Sequence, residues 1–223
     1  MSPFLFGIEI LLETPLEFFS ITIEIQDIND HAPVFSKKEI ILEIGESTPV
    51  GTIFLLDTSY NGSKYAEMVL QSVLDREKQS AHSLILTAID GGDPPRSGTV
   101  KIVITVLDAN DNAPIFTETM YKASVAENAV KGTLITKVSA SDADEGYNGN
   151  VTYSFTHMGE DAAHLFQISA ATGDVTLTGN LDYETVQQYE LNLQAKDPWG
   201  LTGASKLVVD VVDVNDNSPK GRC

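Results

Sequence analysis

One cysteine, Cys223, stands in a chain of 223 residues, so no disulfide can close within it. Its domains must hold by packing or by bound metal. Basic residues are also scarce: 14 Lys and Arg face 32 Asp and Glu, a formal charge of −18. That balance excludes nucleic acid as a partner, because its phosphates would be repelled. No stretch approaches the roughly 18 apolar residues of a membrane helix. Met1–Gly7 lacks the basic start and small-residue cleavage site of a secretory leader. The chain therefore reads as soluble as it stands, or as a piece of something longer, touching a membrane only through parts outside this sequence.

Catalytic signatures are missing as well. His31, His82, His157 and His164 have no zinc-ligand spacing, and no Gly-x-Ser-x-Gly elbow occurs. Acidic pairs abound, but they fall in repeated motifs rather than in a pocket-forming segment. The reading is a non-enzyme without a small-molecule substrate.

Helical periodicity is nearly absent, and β-branched, often alternating runs take its place. Ser20–Gln26, Ile40–Ile44, Val100–Val106, Val151–Phe155 and Leu207–Val212 are examples, separated by turns such as Asp90–Pro95 and Asp197–Gly200. Short strands at this spacing predict antiparallel β-sandwich modules, an all-β immunoglobulin-like fold.

One string occurs three times: Asp27-Ile-Asn-Asp-His-Ala-Pro33, Asp108-Ala-Asn-Asp-Asn-Ala-Pro114 and Asp213-Val-Asn-Asp-Asn-Ser-Pro219. A lone copy reads as a turn with side-chain caps. Three copies, each after a strand run and before a proline, read as the closing motif of a repeated module. Two carboxylates, an amide and backbone carbonyls within four residues suit a hard divalent cation, Ca²⁺ above all. Asp142-Ala-Asp144 followed by Gly146 superficially resembles an EF-hand loop. The twelfth position holds Tyr153 instead of glutamate, and no flanking helix is indicated, so that reading fails.

The motifs divide the chain. Residues 115–219 form a complete repeat with seven strand candidates: Tyr121–Val125, Thr133–Val138, Val151–Phe155, Phe166–Ser169, Asp174–Leu177, Tyr189–Ala195 and Ser205–Val212. Residues 34–114 form a shortened repeat. Its closing motif lies 81 residues after the preceding one, against 105 for the next interval, and the shortfall falls between Asp57 and Lys64, at strands three and four. Its remaining strands are Ile40–Ile44, Thr52–Leu56, Ala66–Leu70, Ser83–Ala88 and Val100–Val106. Residues 1–33 read as the last hairpin of an upstream repeat (Ile8–Leu12 and Phe18–Ile25), and 220–223 as a tail. Losing two strands predicts an open edge on each sheet and a marginal middle repeat.

Asp-x-Asn-Asp-x-x-Pro closing each module, with Leu74-Asp-Arg-Glu77, Leu181-Asp-Tyr-Glu184, Asp142-Ala-Asp-Glu-Gly-Tyr-Asn-Gly149 and Ala195-Lys-Asp197, resembles the cadherin superfamily. Gly62–Glu67, Leu74–Glu77 and Asp90–Gly98 resemble the clustered protocadherins in particular. The resemblance implies tandem cadherin repeats with Ca²⁺ at the junctions. It implies homophilic adhesion, with the same protein on an opposing cell or related protocadherins as partners, at the extracellular side of the plasma membrane. The competing reading is a non-adhesive soluble fragment, splice by-product or imperfect gene model.

Carried over position by position, the resemblance implies one complete site. Glu46, Asp75, Glu77, Asp108, Asn110 and Asp111 supply side chains from one side, and Asp142, Asp144 and Asp197 from the other. Ala109, Asn112 and Asn148 offer backbone carbonyls. Unneutralised, each pair of such carboxylates 4 Å apart would repel by roughly 4 kcal/mol at an effective dielectric of 20. Two partial, weaker sites are implied at Asp27, Asn29, Asp30 and Asp90, and at Glu127, Asp182, Glu184, Asp213, Asn215 and Asp216. Asn61 and Asn150 head N-glycosylation sequons. Trp199 is read as packing against its own turn, with an exposed contact residue as the alternative.

Overall fold

The computed structural model describes residues 21–23, 32–57, 65–92, 94–159 and 162–215, and divides into two compact units, residues 1–109 and 110–223. Every regular element described is a β-strand. No helix is long and apolar enough to cross a membrane among these residues.

The first unit contains β1 (Ile21–Ile23), β2 (Glu39–Gly45), β3 (Ile53–Asp57), β4 (Tyr65–Val69), β5 (Ala81–Ile89) and β6 (Ser97–Leu107). They form two three-stranded sheets, β1-β4-β3 and β2-β6-β5. Leu84, Leu86 and Ala88 of β5 alternate with more exposed neighbours, the period of two that a half-buried strand requires. Leu84 and Leu86 pack with Ile102 and Ile104 of β6, Met68 of β4 and Leu56 of β3 in a single core.

The second unit contains β7 (Ile115–Phe116), β8 (Met120–Ala126), β9 (Leu134–Lys137), β10 (Ala140–Ser141), β11 (Thr152–Phe155), β12 (Phe166–Ile168), β13 (Asp174–Leu177), β14 (Gln188–Lys196) and β15 (Thr202–Val212). Its sheets are β11-β14-β15-β8 and β12-β13-β9, with a small β10-β7 pair. Leu177, Leu191, Leu193 and Leu207 are almost fully buried between them, each contributing about 1.5–3 kcal/mol of apolar burial. All seven strand candidates of this repeat are present. The structure adds β7 and β10, pairs of residues too short to leave a periodic signal.

Pairing is antiparallel except at β2–β6 and β8–β15, one parallel pair in each unit. The connection 58–64, with Asn61, lies outside the described residues. β1 comes from the stretch read above as an upstream hairpin, yet it is hydrogen-bonded to β4, with Thr22 opposite Glu67. The expectation of an open edge on both sheets is thereby corrected for one of them.

Candidate metal centre

The closing motifs at Asp108 and Asp213 are each held to their own unit by a buried glutamate. Glu46, only 5% exposed, accepts the Arg76 N–H at 2.7 Å and the Ala109 N–H at 2.6 Å. Glu127, 7% exposed, does the same with the Tyr183 N–H at 2.8 Å and the Val214 N–H at 2.7 Å. The Leu-Asp-x-Glu turn and the Asp-x-Asn-Asp motif, far apart in sequence, are thus held against each other. Acidic ligand atoms gather as a result. In the first unit Glu46, Glu77 and Asp108 lie within 4.8 Å of one another, and so do Glu127, Asp182 and Glu184 in the second.

A third group, Asp142, Asp144 and Asp197, satisfies the same 4.8 Å limit in the second unit. Asp144 and Asp197 are buried and Asp142 half-buried. Asn110 donates through its side-chain amide to Asp197 at 2.6 Å, and Asn112 donates to Asp144 at 2.8 Å. Two oxygens are buried here without any hydrogen-bond partner: Asn110 Oδ1 and Asp142 Oδ2. A buried, unpartnered acceptor carries a desolvation cost of about 1–3 kcal/mol. Hard oxygen donors beside three carboxylates are what Ca²⁺ takes up, so these residues fit that ion.

The electrostatics follow from the crowding. Burial pushes the Asp142 carboxyl above the usual carboxylate range; the Asp144 N–H bond opposes this, and the Asp144 and Asp197 charges add to the rise. Burial would also raise Asp197. There, hydrogen bonds from Asn110 and from the N–H groups of Gly200, Leu201 and Trp199 outweigh it and hold the carboxyl low. Asp182 is held low chiefly by the Thr185 hydroxyl.

Not every residue read from the sequence joins a group. Asp75 bonds the Lys78 ammonium at 2.6 Å, which holds its carboxyl low. Asp111 accepts from the Asn112 side chain at 2.7 Å. Asp90 accepts the Gly92 and Arg96 N–H groups within its own turn. Asp213 and Asn215 are exposed, outside the Glu127 group. Asp27, Asn29, Asp30 and Asp216 lie outside the described residues.

Two side chains behave in ways the sequence did not reveal. Arg76 places Nε 2.6 Å from Asp108 and pairs with Glu77, a cation set among the acids. The residue at the matching place in the second unit is Tyr183, and that contrast was the available signal. Trp199 corrects the packing expectation: it is 70% exposed, and its indole N–H donates to Asn148 Oδ1 at 2.8 Å.

A cadherin-domain family model matches residues 121–212. The solved structure of mouse clustered PcdhgC3 EC1-3 shares 37% identity and a TM-score of 0.75, over 90% of this chain and 78% of that one. The chain belongs to the clustered protocadherins of the cadherin superfamily. A second protocadherin structure, Protocadherin Gamma B2 extracellular cadherin domains 1-5, matches with a TM-score of 0.80 and 35% identity, over 94% of this chain and 46% of that one. Protocadherin gamma-B7 from Pan troglodytes is 45% identical, and that from Homo sapiens 44%. Each comparison takes in 96% of this chain but only 26% of the relative, so the chain spans about a quarter of their length. The alignments run over 241 positions, longer than the 223-residue chain itself.

Proposed function

We propose that this protocadherin chain binds Ca²⁺ through its repeat-closing motifs and contributes to Ca²⁺-dependent homophilic adhesion between cells. The observation that carries the metal reading is the pair of buried, unpartnered oxygens, Asn110 Oδ1 and Asp142 Oδ2, beside Asp144 and Asp197. Asn110, Asp142, Asp144 and Asp197 would hold ions in the second unit, and Glu46, Glu77 and Asp108 in the first. Asp75, Asp111, the Asn148 carbonyl and the Ala109 and Asn112 carbonyls complete the set implied by the family.

Bound Ca²⁺ supplies the positive charge that makes such acidic crowding tolerable. The protein's own contribution is positional. Glu46 and Glu127 brace the motifs, and the Asn110 and Asn112 amides aim Asp197 and Asp144. Asp108 of the first group and Asn110 of the second stand in one closing motif, which ions held by either group would stiffen. Extracellular Ca²⁺ modules work at about 10⁻⁴–10⁻³ M, which fits the extracellular face of the plasma membrane. The Glu127, Asp182 and Glu184 group would form a weaker site, and the family implies another from Asp27, Asn29, Asp30 and Asp90.

Beads coated with the full chain should aggregate in Ca²⁺ and disperse in chelator. The shortened repeat favours a second reading, a non-adhesive fragment. Ca²⁺ binding by calorimetry without bead aggregation would select that alternative; absence of both would remove the metal reading itself.

A further inference from the structure

The two units follow one plan, and a strand-by-strand comparison leaves one difference. The sheet β1-β4-β3 repeats the all-antiparallel order β12-β13-β9, with β1 in the place of β12. In the other sheet, β5-β6-β2 repeats β14-β15-β8, including the parallel final pair. In the second unit β11 covers the outer edge of β14, pairing Thr152–Phe155 with Leu193–Lys196. Among the described residues, no strand lies beyond β5.

β5 is a nine-residue strand, from Ala81 to Ile89. The Val106 N–H bonds the Ser80 carbonyl, and the Asp90 N–H bonds the Arg96 carbonyl, each at 2.9 Å. The ladder to β6 therefore uses even-numbered residues, and Ser83, Ile85 and Thr87 turn their N–H and C=O groups outward. Native edges are blunted by charge, proline or bulges. β5 has none of these: its sequence is Ala-His-Ser-Leu-Ile-Leu-Thr-Ala-Ile, and its register to β6 is unbroken. The opposite edge strand of the same sheet, β2, carries Glu39 and Glu43.

We propose that β5 pairs antiparallel with β5 of a second copy of this chain, joining two three-stranded sheets into one continuous sheet. Two observations select a second copy. β5 is a carboxylate-free stretch long enough for a ladder, so two chains of charge −18 can meet there without opposing acids. A two-fold centred on Ile85 also makes the strand its own complement: Ile85 opposes Ile85, and Ser83 opposes Thr87. Ile85 is 45% exposed, so its side chain gains cover in the pair. No acidic group takes part, so this association stands apart from the Ca²⁺ reading.

Sedimentation of the full chain should show a concentration-dependent dimer in Ca²⁺ and in chelator alike. Ile85→Lys and Thr87→Pro should each weaken it by at least about tenfold. Both alter an outward position, and an unchanged far-UV circular dichroism spectrum verifies the fold. Ile85→Cys in a Cys223→Ser background should cross-link between copies, whereas Ile41→Cys on β2 should not. A chain monomeric at every concentration overturns the proposal. A dimer that survives both variants, that dissociates in chelator, or whose Ile85→Cys form fails to cross-link overturns it equally.

Discussion

The side-chain amide of Asn110 donates to Asp197 at 2.6 Å, while the carbonyl oxygen of the same side chain is buried without a partner. One end of the amide thus orients an acid, and the other is left as a bare acceptor. Asp142 Oδ2, of the same acidic group, is bare too. Such acceptors cost free energy until a cation reaches them.

Asp142→Asn should therefore have opposite effects with and without metal. In chelator it removes a carboxylate that burial and the charges of Asp144 and Asp197 disfavour, so the thermal midpoint should rise. The Asp144 N–H bond to Oδ1 survives in the amide. In Ca²⁺ the variant loses a ligand, and affinity should fall by at least about tenfold, ~1.4 kcal/mol. Calorimetric titration and thermal melts read the two effects. A variant less stable in chelator would contradict this account.

Glu46→Ala leaves the Arg76 and Ala109 N–H groups without their acceptor. Each lost partner of a part-buried donor costs up to about 1–3 kcal/mol, so a loss of ~2–6 kcal/mol is expected on urea unfolding in chelator. Glu46→Gln should cost less, because one amide oxygen remains. Equal stabilities for wild type and Glu46→Ala would show that the brace is not structural.

On the proposed metal reading, Arg76 competes with Ca²⁺ for Asp108 and Glu77. Replacing it by the residue of the other unit, Arg76→Tyr, removes the hydrogen bond to Asp108 and the pairing to Glu77. The first unit should lose about 1–3 kcal/mol in chelator, less where solvent screens the pair. Its Ca²⁺ midpoint should move to lower concentration, since no built-in cation must be displaced. An unchanged or higher midpoint would show that Arg76 is no competitor.

Gly98 and Gly203 sit at matching places, where the chain after each closing motif crosses the start of the last strand. A side-chain carbon on Gly98 would overlap the Pro33 carbonyl oxygen, and one on Gly203 the Pro114 carbonyl oxygen. Both obstacles are backbone. Gly98→Ala and Gly203→Ala should each destabilise by about 1–3 kcal/mol in denaturant unfolding. Gly159→Ala, with open space around it, should be close to neutral.

The strands were legible because alternation is local. Leu84, Leu86 and Ala88, like Leu191, Leu193 and Ala195, mark a buried face at every second residue. Acid placement was legible in part. Asp142, Asp144 and Asp197 carry their motifs openly, yet Asp75 spends its carboxylate on Lys78, three residues away. Nothing in Leu74–Glu77 separates those outcomes, since the choice depends on which neighbour the fold brings within reach. Trp199 misled for the same reason: its indole partner, Asn148, lies 51 residues earlier.

The sequence by itself determined that this chain is all-β and modular and carries a repeated oxygen-rich motif. Each of those signals is written in a window of a few residues. Only the tertiary structure decided that β1 fills the place beside β4, that no described strand lies beyond β5, and that Arg76 lies among the acids. These depend on which strands become neighbours across long stretches of chain, and hydrogen bonds between distant strands leave no periodic mark in either partner.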